Sequence, residues 1–286
     1  MLPSIAILAL FGVVSSAPVP QELIFGGQNA SLGQWPSFAL LEITTHYDTN
    51  HTCGGSLISK RHILTAGHCR VPHYKTVTVR LGLVDRNSLS TTPGIQERQV
   101  AKMAIHPGFI QEGSMYNDLT IWELNEDVEF SDTVKPISIL ANDSEIMKQA
   151  EAFDVGFGTY KYDENSESIA SPTLRYTNVS IADFEYCKKV WSPNGGASKY
   201  PVRLWELQLC AGANGHGVAH GDSGGPLLMK KDGKWYQVGI NSMAMMEDLG
   251  NGVVKEDQEK YPAIYTRVSN YCDFIEETLG DEFHCV

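Results

Sequence analysis

Hydrophobic residues along the chain gather in short runs separated by turn formers, with few helical stripes. Runs rich in Val, Ile, Leu and aromatic residues occupy 37–43, 76–81, 119–124, 152–155, 226–229, 235–240 and 263–268. Within 76–81, Val77, Val79 and Leu81 alternate with Thr and Arg, the period of a strand with one buried face. Gly, Pro, Asn and Asp punctuate the gaps. Many short strands with turn-rich connections predict an all-β sandwich or barrel, and the pattern does not choose between them. Near the C-terminus the period changes. Tyr271, Phe274, Ile275 and Thr278 recur at helical spacing, with Ser269 placed to cap the start of a helix and Gly280 to end it. Repeats and low-complexity tracts are absent.

The apolar run from Ile5 to Val14, followed by Ser15-Ser16-Ala17, reads as a signal peptide over residues 1–17 with cleavage after Ala17. That run is too short to cross a bilayer, and no later segment is long and apolar enough, so a secreted chain without a membrane partner is expected. The 286 residues are 42% hydrophobic and 20% charged, values of an ordinary globular chain. A formal net charge of −12 disfavours nucleic acid and anionic membranes. In a secreted chain all six cysteines are expected to pair, although the sequence leaves the connectivity open. Sequons begin at Asn29, Asn50, Asn142 and Asn178, as in a glycoprotein.

Three local signatures carry chemistry. Gly221-Asp222-Ser223-Gly224-Gly225-Pro226 places a serine in a glycine-rich loop, where its hydroxyl is exposed and nearby N–H groups can face an oxyanion. A serine hydroxyl is nearly inert at neutral pH and needs a base with an oriented carboxylate behind it. His68, in Thr65-Ala66-Gly67-His68-Cys69, is the candidate base, and Asp118, just before the apolar run 119–124, is the candidate carboxylate. Each residue alone carries little weight; the order His, Asp, Ser with these flanks carries much more. It resembles that of the chymotrypsin-like (trypsin-fold) serine proteases, and the resemblance covers nearly the whole chain after residue 23.

The resemblance implies two packed antiparallel six-stranded β-barrels, 24–133 and 134–268, with the site between them and a C-terminal helix and tail at 269–286. It implies the bridges Cys53–Cys69 and Cys187–Cys210, which leaves Cys272–Cys285. It implies catalysis by His68, Asp118 and Ser223, with the N–H groups of Gly221 and Ser223 as the oxyanion hole. Residues 18–23 would be a pro-segment. Cleavage before Ile24 would free an ammonium that pairs with Asp222, and because Leu23 is not basic, the activator would cut after apolar residues and is expected to be this enzyme itself.

The pocket floor would be Gly217, six before the nucleophile, where trypsin-like members carry Asp. Ala244 and Ala263 would form its walls, Ser242 and Met243 would align the substrate backbone, and His220 would sit over its mouth. An uncharged floor and two methyl groups predict cleavage after small or medium apolar residues. The chain departs from the family pattern at several places. Gly67 stands where Ala is usual, Phe25 where Val is usual, Met243 where Trp is common, and Ala219 where a pocket cysteine is usual. The wall loop 245–261 is long and acidic, and the alternative is that one of its carboxylates (Glu247, Asp248, Glu256, Asp257 or Glu259) reaches the pocket and restores basic specificity.

No metal or cofactor is expected. No paired-cysteine spacing occurs, and Leu83 with Glu97 makes a poor calcium site. The expected partners are protein or peptide substrates and protein inhibitors, acting on a monomer. Two rivals remain. One is a silent homologue that only binds proteins, which usually lacks a triad member. The other is an α/β-hydrolase, for which Gly221 to Gly225 has the right spacing but His and Asp come too early.

Overall fold

A computed structural model describes residues 27–111, 113–162, 167–195, 202–245, 247–248, 254–255 and 257–286. The signal peptide, the pro-segment and Ile24 lie outside these residues.

The first barrel is built from β1 (Phe38–Thr45), β2 (Asn50–Leu57), β3 (His62–Thr65), β4 (Tyr74–Leu81), β5 (Gln96–Ile105) and β6 (Thr120–Leu124). Its strands are ordered β1-β2-β3-β6-β5-β4 and close when β4 pairs with β1, with Leu41 opposite Val79. The alternation in β4 is borne out: Val77, Val79 and Leu81 are buried and the intervening residues are not. The second barrel comprises β7 (Glu151–Gly156), β8 (Arg175–Ile181), β9 (Gln208–Gly212), β10 (Pro226–Lys231), β11 (Lys234–Met243) and β12 (Ala263–Arg267). Its order is β8-β9-β12-β11-β10-β7, closed by β7 pairing with β8. All neighbours in both barrels are antiparallel.

All seven hydrophobic runs lie on these strands, apart from a residue at some ends. The strands without a clear apolar period are β2, β5, β8 and β9. β5 has no fully buried residue, and it is held by ladder bonds to β4 and β6, which close the barrel. β2 carries Gly54 and Gly55, which read locally as a turn. A Cβ on Gly55 would lie 2.8 Å from Ile63 Cγ2, and one on Gly54 would lie 2.7 Å from Gly225 Cα. Gly54 thus lets the second barrel's nucleophile loop approach the first barrel's backbone.

The C-terminal helix α2 spans Cys272–Leu279 and follows a 3-10 turn at Val268–Tyr271. Ser269 lies inside that turn and caps nothing, and Thr278 faces solvent; Ile275 and Leu279, one helical turn apart, are the buried pair. Gly280 ends the helix at φ 59°, as expected. The helix packs on the first-barrel core with Tyr271 and Phe283. A second helix, α1 (Phe184–Trp191), starts at Asp183, whose carboxylate accepts from Tyr186 N–H at 2.8 Å. Trp191 is buried and donates to Pro262 O at 2.9 Å, so it covers the second barrel.

The three disulfides are Cys53–Cys69, Cys187–Cys210 and Cys272–Cys285. They fit an oxidising compartment.

Candidate active site

His68 sits in a 3-10 turn, Gly67–Cys69, directly after β3. The Cys53–Cys69 bridge fixes the next residue to β2. Gly67 has a specific reason to lack a side chain: a Cβ there would lie 3.0 Å from the Phe109 ring and 3.3 Å from Asp118 Oδ1. Phe109 fills the space that a methyl group under the imidazole would take.

Asp118 is wholly buried. Asn117 before it adopts φ 50°, a left-handed conformation that Asn tolerates, and Leu119 N–H donates to Asn117 O at 2.8 Å. The Asn117 side chain donates to Gly108 O at 2.7 Å and accepts from Tyr271 OH at 3.2 Å. This sharp, anchored turn directs the carboxylate at His68. Asp118 Oδ1 accepts the His68 backbone N–H at 2.8 Å, and Oδ2 lies 2.7 Å from His68 Nδ1. A carboxylate only accepts, so Nδ1 carries the proton and Nε2 keeps its lone pair. Burial lowers the affinity of His68 for a proton, but the Asp118 charge and hydrogen bond outweigh it, and the pKa is raised above the ordinary 6.5.

The second barrel completes this arrangement. Ser242 Oγ donates to Asp118 Oδ2 at 2.6 Å, and Thr266 Oγ1 donates to Asp118 O at 3.0 Å. Ser242 was expected only along the substrate backbone; its hydroxyl is committed to the carboxylate.

Ser223 lies in a loop held by Gly224 N–H to Asn241 O (2.8 Å), Gly225 N–H to Asp222 O (2.9 Å) and Gly54 N–H to Ser223 O (2.7 Å). Among the described residues no acceptor takes the N–H of Gly221 or of Ser223, so both remain available to an oxyanion. Gly221 has φ 97°. Ser223 and His68 line one cleft of about 300 Å³, with His51, Phe157, Ala170 and His220. His68 makes its hydrogen bonds to Asp118, and its ring shares the cleft with Ser223.

Asp222 is buried and accepts from Gly158 N–H at 2.7 Å and Ala219 N–H at 2.9 Å. Burial raises its pKa to about 6, against these two bonds and the charge of Arg86. The sign follows: the folded state holds its proton more tightly than the unfolded chain, so this group lowers stability as pH rises from the ordinary 3.8 through about 6. Nothing in the sequence around Arg86 marks it as part of this site. Its guanidinium stacks on Phe157, 5.0 Å from the ring centroid, and its Nε and Nη2 are buried without a hydrogen-bond partner among the described residues. Asp154 is equally unmarked. It is buried beside this group, with Tyr265 OH at 2.9 and 3.0 Å from its oxygens. Burial, opposed by that bond, holds it well above the carboxylate range.

A second cleft, about 220 Å³, is lined by Ala219, His220, Ser223, Asn241, Ser242, Met243 and Ala244. It shares His220 and Ser223 with the first. Gly217 and Ala263 are buried and do not line it. The space in front of Gly217 is taken by Gln258: a Cβ on Gly217 would lie 1.9 Å from Gln258 Oε1. A larger concavity of about 650 Å³ lies between α1 and residues 202–207, and no histidine is among its lining residues. Among the described residues no group of three or more His, Cys, Asp or Glu side chains is arranged to hold a metal.

Comparison with known proteins points to one family. A model of the trypsin family matches residues 24–275. The chain belongs to the trypsin family. As a trypsin-family member it is a serine endopeptidase, a hydrolase. It is 30% identical to CLIP domain-containing serine protease B4 of Anopheles gambiae, over 90% of this chain and 71% of that protein. It is 31% identical to Serine protease 41 of Homo sapiens, over 90% and 77%. Among solved structures it resembles neuropsin, a serine protease expressed in the limbic system of mouse brain, with TM-score 0.70, 26% identity, and coverage of 89% of this chain and 99% of that one. The trypsin-family barrels thus account for the meeting, at one cleft, of motifs distant in sequence.

Proposed function

We propose that this chain is a secreted serine endopeptidase made as a zymogen, which cleaves after small or medium apolar residues through an acyl-enzyme. The observation that carries the reading is the two-point grip of Asp118 on His68, at 2.7 and 2.8 Å, facing the cleft that Ser223 lines. Ser223 Oγ attacks the scissile carbonyl carbon while His68 Nε2 takes the hydroxyl proton. Asp118 stabilises the imidazolium, and the N–H groups of Gly221 and Ser223 receive the oxyanion. His68 then protonates the leaving amine, and a water molecule repeats the sequence to release the acid. Uncharged lining and the Ala244 methyl favour an apolar residue before the scissile bond.

Activation rests on Asp222. Its buried carboxylate is costly when ionised, and an ammonium freed at Ile24 would relieve that cost. Secretion is supported by the leader and the three bridges, and glycosylation by the exposure of Asn29, Asn50, Asn142 and Asn178. Protein and peptide substrates and protein inhibitors are its partners.

A fluorophosphonate probe distinguishes this reading from a silent binding homologue. The chain cut at Leu23–Ile24 is expected to label at Ser223, and the uncut chain is not. Secreted alone, the Ser223→Ala chain is expected neither to label nor to mature; maturation of that variant would exclude self-activation. Absence of label from the cut native chain would refute the enzyme reading.

The pH profile gives an independent check. His68 must be neutral to act as base, and its pKa is raised, so the acid limb of kcat/KM is expected above pH 6.5. The alkaline limb is expected above the ordinary α-amino range of about 7.7–8.0, because pairing with Asp222 raises the Ile24 ammonium. Rates that stay flat to strongly alkaline pH would count against insertion of the amine.

A further inference from the structure

Gln258 is a polar side chain that the wall loop sends inward. Its neighbours in the chain stay outside: Asp257 accepts Lys260 N–H at 3.1 Å in an exposed turn, and Glu259 is exposed. Gln258 is 1% exposed. Its amide meets the backbone N–H and C=O of a single residue, Val218. Oε1 accepts Val218 N–H at 3.2 Å, and Nε2 donates to Val218 O at 2.6 Å. Its backbone is equally confined, since a Cβ on Gly212 of β9 would lie 2.0 Å from Gln258 O.

Two features of the site meet at this residue. The first is the floor. Any side chain at Gly217 would run into the Gln258 amide, and the 220 Å³ cleft does not reach Gly217. The second is the missing tie. Ala219 stands where a pocket cysteine is usual, and the segment there is held one residue earlier, at Val218, by the paired amide bonds. We infer that Gln258 is the specificity-determining plug of the primary pocket, setting its depth and clamping the Val218–Ala219 wall without a disulfide. A neutral amide at this depth excludes long and basic side chains by volume and by lack of charge. This rests on the pocket assignment made above.

The test compares mature native enzyme with Gln258→Ala, each normalised by fluorophosphonate active-site titration, on peptides that differ only in the residue before the scissile bond. One or two methylenes in such a pocket are worth roughly 10–200-fold in kcat/KM. The Phe-to-Ala ratio of kcat/KM is expected to rise about tenfold or more in Gln258→Ala, because the freed volume joins the cleft. A residue that only held the fold together would lower all substrates alike. If Gln258→Ala does not fold, Gln258→Asn, one methylene shorter with the amide kept, carries the same comparison. An unmoved ratio in the folded variant overturns the inference, whatever the native preference is. A native enzyme that cleaves after Lys or Arg overturns the apolar-pocket reading instead, and the two failures are told apart by which enzyme deviates.

Discussion

Replacing Asp118 with asparagine is expected to lower kcat about 10⁴-fold while leaving the fold intact. The reason is the donor count around the carboxylate. Oδ1 accepts the His68 backbone N–H, and Oδ2 accepts His68 Nδ1–H and the Ser242 hydroxyl. An asparagine amide has one oxygen. Its NH₂ cannot face the His68 backbone donor, so it takes the Oδ2 position, where the Ser242 hydroxyl can turn to accept. There it forces Nδ1 to become an acceptor and moves the imidazole proton to Nε2, the atom that must receive the Ser223 proton. Loss of the negative charge also lets burial dominate, so the His68 pKa falls below its native value and the acid limb moves to lower pH. Single-turnover kinetics and a pH profile on active-site-titrated protein measure both effects. A loss of tenfold or less, or an acid limb that does not move, would contradict the assigned role.

Gly224→Ala is expected to destabilise the chain by roughly 2–5 kcal/mol and to abolish labelling of Ser223. Two costs add. The first is conformational: Gly224 has φ 76°, and a non-glycine residue there costs about 1–2 kcal/mol. The second is steric. The new Cβ would lie 2.1 Å from Thr65 Oγ1, 2.7 Å from Gly54 O and 3.0 Å from Ala66 N, mostly backbone that cannot yield, and overpacking of this kind costs about 1–3 kcal/mol. Relief requires the barrels to part where Ser223 meets His68. Gly233→Ala separates the two costs, since Gly233 has φ 80° with nothing within 4 Å of its Cβ. It should show the conformational cost alone and keep full activity. Denaturant unfolding of both variants tests this, and equal losses in the two would remove the steric argument.

The parts of this molecule that are legible in the sequence are those that repeat locally. Val77, Val79 and Leu81 announce β4 because apolar residues at every second position fall on one face of a strand and would scatter around a helix. Gly280 announces the end of α2. The strands that escape do so for physical reasons: β5 buries no full face, and β2 is interrupted by glycines that serve the barrel contact. Ser269 looks like a cap only if the helix begins there, whereas a 3-10 turn intervenes. At the site, His68, Asp118 and Ser223 are found through their flanks. Ser242 on Asp118, Arg86 beside Asp222 and Gln258 against Gly217 are not, since nothing in their own neighbourhoods marks them. The acidic wall loop even draws attention to Asp257 and Glu259, on either side of the residue that enters.

By itself, then, the sequence determined the strand-rich character of the chain, the cysteines and the three side chains suited to acyl transfer, because period, turn chemistry and motif order act over a few residues. Tertiary structure decided what surrounds those side chains: the hydroxyl of Ser242 on the carboxylate, the first-barrel backbone that demands glycine at 224, and the amide that fills the space before Gly217. These contacts join segments tens of residues or more apart, and volume and hydrogen-bond satisfaction at such contacts are settled only when both barrels are closed.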